Sequence, residues 1–248
     1  MRHSIEMEKL TLGVCYYPEH WDRALWKDDL QRMKQYGIEV IRLAEFSWAL
    51  MEPEEGKYDF SFWDEFLALA AEENMKVVFC TPTATPPAWL SEKYPETLNA
   101  DGDGNLMYHG MRWQHNLTSP KYLEFCEKIT RRMAEHFNKY DCIIGWQLDN
   151  EVNCETNSKS DHEAFRAFLK ERFGTLDNLN EKMGTIFWSQ TYTDWDQIHL
   201  ARRSTVGTGI ANPHMQLEQV RFISHSAVHY LALQASIVRE TAGDRFIT

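Results

Sequence analysis

The sequence predicts an α/β protein, a (β/α)8 TIM barrel present through about its fifth strand, and three observations lead there. Short apolar runs rich in Val, Ile and Phe alternate with longer stretches of helical period. The runs end abruptly in polar side chains, as parallel strands buried on both faces do where they leave a barrel core. Joins from helix to strand are short and those from strand to helix long, the asymmetry of a barrel with chemistry on one face. No repeat or low-complexity linker interrupts the pattern, so residues 1–248 are read as the N-terminal portion of one barrel domain.

Thr11 to Tyr17 is the first strand, followed by the loop Pro18-Glu19-His20-Trp21. A helix runs from about Asp22 with Trp26, Leu30 and Met33 on one face, and Gly37 stops it. Val40-Ile41-Arg42-Leu43-Ala44-Glu45 is the second strand, with an acid at its end. Beyond a long loop, Ser61 with Asp64 approximates a capping box for a helix bearing Phe62, Phe66 and Leu69. Lys76 to Thr81 is the third strand, and Thr83-Ala84-Thr85-Pro86-Pro87 stops regular structure. A long excursion through the turn cluster Asp101-Gly102-Asp103-Gly104-Asn105 returns by Met111 to Asn116. The next helix starts near Pro120, its face Leu123, Cys126, Ile129, Met133 and Phe137.

Ile143 and Ile144 open the fourth strand, which runs out into Gly145-Trp146-Gln147-Leu148-Asp149-Asn150-Glu151. Helices follow at Asp161 to Phe173 and Leu176 to Met183, then an aromatic stretch, Phe187-Trp188-Ser189-Gln190. A long helix from Pro213, with Leu217, Val220, Val228, Leu231 and Val238 as its apolar face, ends at Gly243. Asp244 to Thr248 begins a fifth strand.

Composition narrows the function. A chain of 248 residues, 43% hydrophobic and 13% aromatic, can bury a sizeable core. A formal net charge of −11, without clustered Lys and Arg, argues against a nucleic-acid surface and for a neutral or cationic ligand. Nine Trp and ten Tyr include rings able to stack on sugars, although core packing accounts for most of them. The five cysteines, Cys15, Cys80, Cys126, Cys142 and Cys154, are odd in number and scattered, so neither a disulfide framework nor a zinc ribbon is expected. Met1 to Leu10 lacks the apolar stretch of a signal peptide and no later run has the length of a membrane span, so a cytoplasmic protein without membrane contact is expected. Asn116-Leu117-Thr118 is then a chance match to a glycosylation sequon.

Asn150-Glu151 at the end of the fourth strand offers one residue to position a substrate and one to exchange a proton. The plain alternative is a solvated glutamate in a loop, since strand-end carboxylates are common in α/β proteins.

Five stretches in order carry a resemblance. Gly13-Val14-Cys15-Tyr16-Tyr17-Pro18-Glu19-His20-Trp21, Arg42-Leu43-Ala44-Glu45-Phe46-Ser47-Trp48, Thr83-Ala84-Thr85-Pro86-Pro87-Ala88-Trp89-Leu90, Trp146-Gln147-Leu148-Asp149-Asn150-Glu151 and Gly184-Thr185-Ile186-Phe187-Trp188-Ser189-Gln190 resemble the family 42 glycoside hydrolases, the β-galactosidases of microbial cytoplasm. The resemblance implies a retaining β-galactosidase that removes terminal β-D-galactose from β-galactosides. It implies Glu151 as the acid/base, Asn150, Arg112 and Glu45 around the sugar, and Trp188 as a wall of that subsite. Arg112 can alternatively be a structural ion pair with Glu45 or Glu151. Some members hold zinc through cysteines after the acid/base; Cys154 stands here without a cluster, so no metal and no cofactor are expected.

In the family the nucleophilic glutamate follows the seventh strand and trimerisation draws on a further domain. The five strands read here reach neither, and Glu240 falls on a helix. The expectation is therefore an incomplete chain, inactive alone, whose family activity and homotrimer require the longer protein. The competing reading is a catalytically inactive half-barrel with a sugar-binding or assembly role. Another retaining barrel glycosidase, such as a xylanase or mannanase, would share the Asn-Glu pair, but Phe187-Trp188-Ser189-Gln190 argues against it.

Overall fold

The structure, a computed structural model, describes residues 10–153, 157–201 and 211–248. Five strands, β1 (Leu12–Cys15), β2 (Ile38–Leu43), β3 (Lys76–Cys80), β4 (Ile143–Gln147) and β5 (Phe246–Ile247), form one sheet in chain order. All four pairings are parallel, and each join between neighbours is a helical crossover, so β1 and β5 are the sheet edges. This is the expected barrel winding carried through five strands. β1, β3 and β5 are shorter than their sequence patterns, whereas β2 keeps six residues but begins and ends two residues earlier, so that Ala44 and Glu45 lie past its end.

The chain divides into two compact units. The first comprises Met1–Thr83, Ile129–Asn150 and Ala235–Thr248 and contains the whole sheet. Its core is a run of rings packed edge to face: Trp26 on Phe66 at 5.3 Å, Trp63 on Phe79 at 5.6 Å, and Phe79 on both Phe137 at 4.8 Å and Trp146 at 5.6 Å. Trp26, Trp48, Trp63 and Trp146 are all fully buried. Helix α1 (Arg23–Gln35) starts where expected, with the Asp22 carboxylate accepting from Ala24 N–H, and Gly37 closes it with φ +78°. The short helix α2 (Trp48–Met51) lies in the loop after β2, ahead of α3 (Ser61–Glu72).

Two local expectations need correction. Asp64 does not cap α3: Asp59 accepts from Ser61 N–H at 2.9 Å, while the Asp64 carboxylate takes Tyr140 Oη at 2.7 Å and pairs with His136. A long-range partner outcompeted the local box. After β3 a short 3-10 helix (Pro82–Ala84) includes Thr83 and Ala84, and α4 (Ala88–Lys93) follows Pro87, whose extended backbone precedes the helix without a side-chain cap.

The second unit comprises Ala84–Lys128 and Glu151–Gln234. It contains α4, where Trp89 meets the Phe125 ring, and α6 (Lys159–Phe173) and α7 (Leu176–Met183), which pack around Phe165, Leu169, Leu179, Met183, Ile198, Leu200 and Phe222. Helices α5 (Pro120–Phe137) and α8 (Pro213–Ala242) belong partly to each unit. On α5 the buried face contains Cys126, Ile129, Met133 and Phe137 as expected, joined by Tyr122 and Phe125, while Leu123 is only half-buried.

On α8 the face read from the sequence is the wrong one over most of its length. Leu217, Val220 and Val228 are exposed, and the buried stripe is Glu218, Phe222, Ser226, Tyr230 and Gln234 before Ile237 and Val238. Three of those first five are polar, so apolar periodicity could not select them. Glu218 is tolerated inside because Arg172 meets it at 2.6 Å and Arg221 also donates to it.

Candidate active site

In the first unit, polar groups gather just past the ends of β2 and β4. Arg42 interrupts the apolar β2 run, and its guanidinium donates to Glu45 Oε1 at 2.7 Å, to Gln147 Oε1 at 2.9 Å and to Asn150 Oδ1 at 3.3 Å. Glu45 is 0% exposed and also accepts from Tyr17 Oη at 3.0 Å. Burial and the Glu45 carboxylate together push the Tyr17 phenol up to about 12. Burial, then the charge of Glu45, also pushes the Cys80 thiol up, leaving it protonated at neutral pH. An arginine only donates, so it must face the oxygen of the Asn150 amide. That makes Nδ2 the donor end of the Asn150 amide, pointing away from the arginine.

The backbone here is unusual. Ala44, just before Glu45, has φ +86°, and Asp149, just before Asn150, has φ +58°. Such conformations cost an L-residue on the order of 1–3 kcal/mol and persist only where surroundings impose them. At Asp149 the surroundings are Thr81 Oγ1, which accepts from its N–H at 2.8 Å, and Thr83 Oγ1, which donates to its carboxylate at 2.8 Å.

In the second unit, Glu151 opens the stretch after β4 with φ +53°. Arg112 donates to its Oε2, and Trp113 Nε1 donates to its backbone carbonyl at 3.1 Å. The Arg112 guanidinium lies over the Trp113 ring, 4.7 Å from its centroid. Both charged side chains stay open to solvent, Arg112 at 57% and Glu151 at 63% exposure. The stretch carrying Arg112 is tied down by Asn116, which bonds Ser158 and Ser160, and by Thr118, which donates to Asp161 at 2.6 Å. Ser158 and Asp161 form the capping box that starts α6.

Sequence reading named Glu151, Arg112, Asn150, Glu45 and Trp188. Arg112 meets Glu151 in one unit, and Asn150 and Glu45 both meet Arg42 in the other. Trp188 stands in a short turn with φ +57°, 65% exposed, against Phe187. It is not a core residue. Arg42 and Trp113 were missed as site residues. Arg42 had a signal, a charge in the middle of an otherwise apolar strand; Trp113 had none beyond its position next to Arg112. Among the described residues no group of three or more His, Cys, Asp and Glu side chains could hold a metal, and Cys15, Cys80, Cys126 and Cys142 form no disulfide; Cys154 lies outside the described residues.

A parallel sheet wound by helices, with carboxylates, arginine and amide just beyond its strand ends, defines the class: an α/β-barrel protein with its polar groups at the carboxyl face. Comparison with solved structures agrees. β-Galactosidase from the psychrophilic Marinomonas ef1 superposes with a TM-score of 0.90 at 36% identity, over 96% of this chain and 36% of that one. The catalytic domain of the β-amylase from Paenibacillus polymyxa reaches 0.75 at 16% identity, a likeness of fold alone. Beta-galactosidase BgaA from Thermus sp is 42% identical over 241 residues, 96% of this chain and 37% of that protein. Beta-galactosidase Bga from Halorubrum lacusprofundi is 39% identical over 243 residues. The profile of glycoside hydrolase family 42, described as beta-galactosidase, matches residues 15–248. The chain belongs to glycoside hydrolase family 42, and it spans little more than a third of the length of the relatives it matches, 37% for the Thermus protein.

Proposed function

We propose that this chain is part of a retaining β-galactosidase acting on terminal β-D-galactose, with Glu151 as its acid/base. The observation that supports it most is the Arg112–Glu151 pair at the end of β4, in a chain of this family. Retaining hydrolysis needs one carboxyl to protonate the leaving oxygen and a second, roughly 5 Å away, to attack the anomeric carbon. Glu151, exposed and hydrogen-bonded to an arginine, suits the first role; the second is not assigned to any residue of this chain. Asn150, its amide oriented by Arg42, donates from Nδ2 to a sugar hydroxyl, a contact that strengthens as the transition state develops. Glu45 serves the sugar through Arg42, and Trp188 offers an exposed ring face.

No described helix is long and apolar enough to cross a membrane, and a cytoplasmic location is part of the same proposal. The test compares hydrolysis of a chromogenic β-galactoside by the 248-residue chain and by a form extended to the length of its relatives. Turnover only in the extended form is expected. Turnover by the pure chain would make a carboxylate within it, Glu45 the nearest candidate, the nucleophile. An inert extended form would sink the β-galactosidase reading and favour the inactive half-barrel.

A further inference from the structure

Past the carboxyl end of β4, main-chain bonding between strands runs as far as Leu148, whose N–H donates to the Thr248 carbonyl at 2.9 Å. Beyond it, side chains hold the backbone. Thr81 Oγ1 accepts the Asp149 N–H, Gln147 Nε2 donates to the Asp149 carbonyl at 2.8 Å, and Asp149 Oδ1 accepts the Asn150 N–H at 2.6 Å. Oδ2 of the same carboxylate accepts from Thr83 Oγ1 at 2.8 Å.

The residue types suit this arrangement. Asp149 is 1% exposed, and Thr81 and Thr83 are fully buried. A buried carboxylate is costly unless its oxygens are hydrogen-bonded, and here one oxygen meets a hydroxyl and the other a main-chain N–H. An asparagine in its place would offer one acceptor oxygen for two donors.

Asn150 is thereby held at two ends. Asp149 fixes its main chain, while its side-chain oxygen meets Arg42 at 3.3 Å, which is long for a hydrogen bond. Gln147 ties the two ends together, because its Oε1 accepts from Arg42 at 2.9 Å. A bond of that length directs the amide weakly by itself, so the aim of Nδ2 depends on where Asp149 sets the Asn150 backbone. The positive φ of Asp149, +58°, turns the chain at this point and persists because its surroundings impose it.

We propose that Thr83 and Asp149 are positioning residues, whose hydrogen bond aims the Asn150 amide at the sugar hydroxyl next to the anomeric carbon. Both are buried and act through Asn150. This rests on the reading of Asn150 as a sugar contact in a retaining β-galactosidase.

The experiment is a double-mutant cycle of Thr83→Val and Asn150→Ala in the extended form, with an aryl β-galactoside and the analogue lacking that hydroxyl as substrates. Thr83→Val keeps the shape of the side chain and removes its donor. It should lower kcat/KM for the aryl galactoside by about tenfold, add little to the loss caused by Asn150→Ala, and matter far less for the analogue. Thr83→Ser, which keeps the hydroxyl, should retain most of the rate. Circular dichroism checks that each variant folds, and Asp149→Asn replaces Thr83→Val in the cycle if the valine variant does not. A Thr83→Val loss that is absent, equal on both substrates, or fully additive with that of Asn150→Ala overturns the proposal and leaves Asn150 at the sugar. If Asn150→Ala leaves kcat/KM unchanged, or the extended form is inert, the reading of the site falls and the proposal falls with it.

Discussion

Arg112 holds the Glu151 carboxylate by Oε2 while its guanidinium covers the ring of Trp113, whose N–H in turn holds the Glu151 backbone. Side chain and main chain of the same glutamate are thus fixed from one adjacent pair of residues. Because both charged groups are more than half exposed, the pair contributes little to stability, about 0–1 kcal/mol. Arg112→Ala is expected to leave the melting temperature of the chain nearly unchanged and to lower kcat/KM in an extended, active form. A large loss of stability would show that the pair is scaffold.

Glu151→Gln in that extended form should suppress hydrolysis of galactosides with poor leaving groups by about 10²–10⁴-fold, the usual contribution of a general acid. Activated aryl galactosides, which need little protonation, should lose far less. Equal losses on both would remove Glu151 from the acid/base role, as would a Glu151→Ala enzyme whose second step azide cannot rescue.

Arg42→Ala strands the fully buried Glu45 carboxylate and frees the Asn150 amide. Breaking a buried pair by removing one partner costs about 3–5 kcal/mol, so urea denaturation should register a loss of that order. Arg42→Ala with Glu45→Gln should recover part of it, because the stranded charge is gone. A double variant no more stable than the single one would argue that packing, not charge, dominates.

Gly145 is the one glycine of β4, and a Cβ there would sit 2.4 Å from the Phe246 ring of β5. Gly145→Ala must displace that ring, with an expected cost of about 1–3 kcal/mol. Adding Phe246→Leu should return some of the loss. Thermal melts of the three variants decide it.

His162 accepts the Leu200 N–H at Nδ1, 3.0 Å away, which requires that nitrogen unprotonated. Burial, then the neighbouring His199 and Arg166, lowers its pKa below 6.5, with Asp161 opposing. The neutral form is favoured in the fold, so its contribution is fully present above about pH 6.5 and is lost as pH falls through the lower folded value. The melting temperature should therefore fall between pH 7 and pH 5. His162→Asn, which offers an amide oxygen in place of Nδ1, should flatten that fall. An unchanged pH profile would count against the assignment.

Much of the fold was legible in the residues themselves. Alternating apolar runs and helical stretches dictated a parallel α/β winding, since strands buried on both faces must be apolar throughout and crossovers must be helical. Local capping chemistry placed the start of α1 and its stop at Gly37, because those bonds lie within one turn. The Asn150-Glu151 pair and Arg112 could be picked out by residue type and by family resemblance. Tertiary structure decided everything that depends on partners distant in the chain. It set Asp64 against Tyr140 and His136 instead of the α3 cap, and it turned Glu218, Ser226 and Gln234 of α8 inward, where an arginine from α6 could meet the charge. It also made Arg42 the anchor of Glu45, Gln147 and Asn150, up to 108 residues apart along the chain. A side chain's burial and its hydrogen bonds are properties of the neighbours that folding brings to it, and no periodicity in its own segment encodes them.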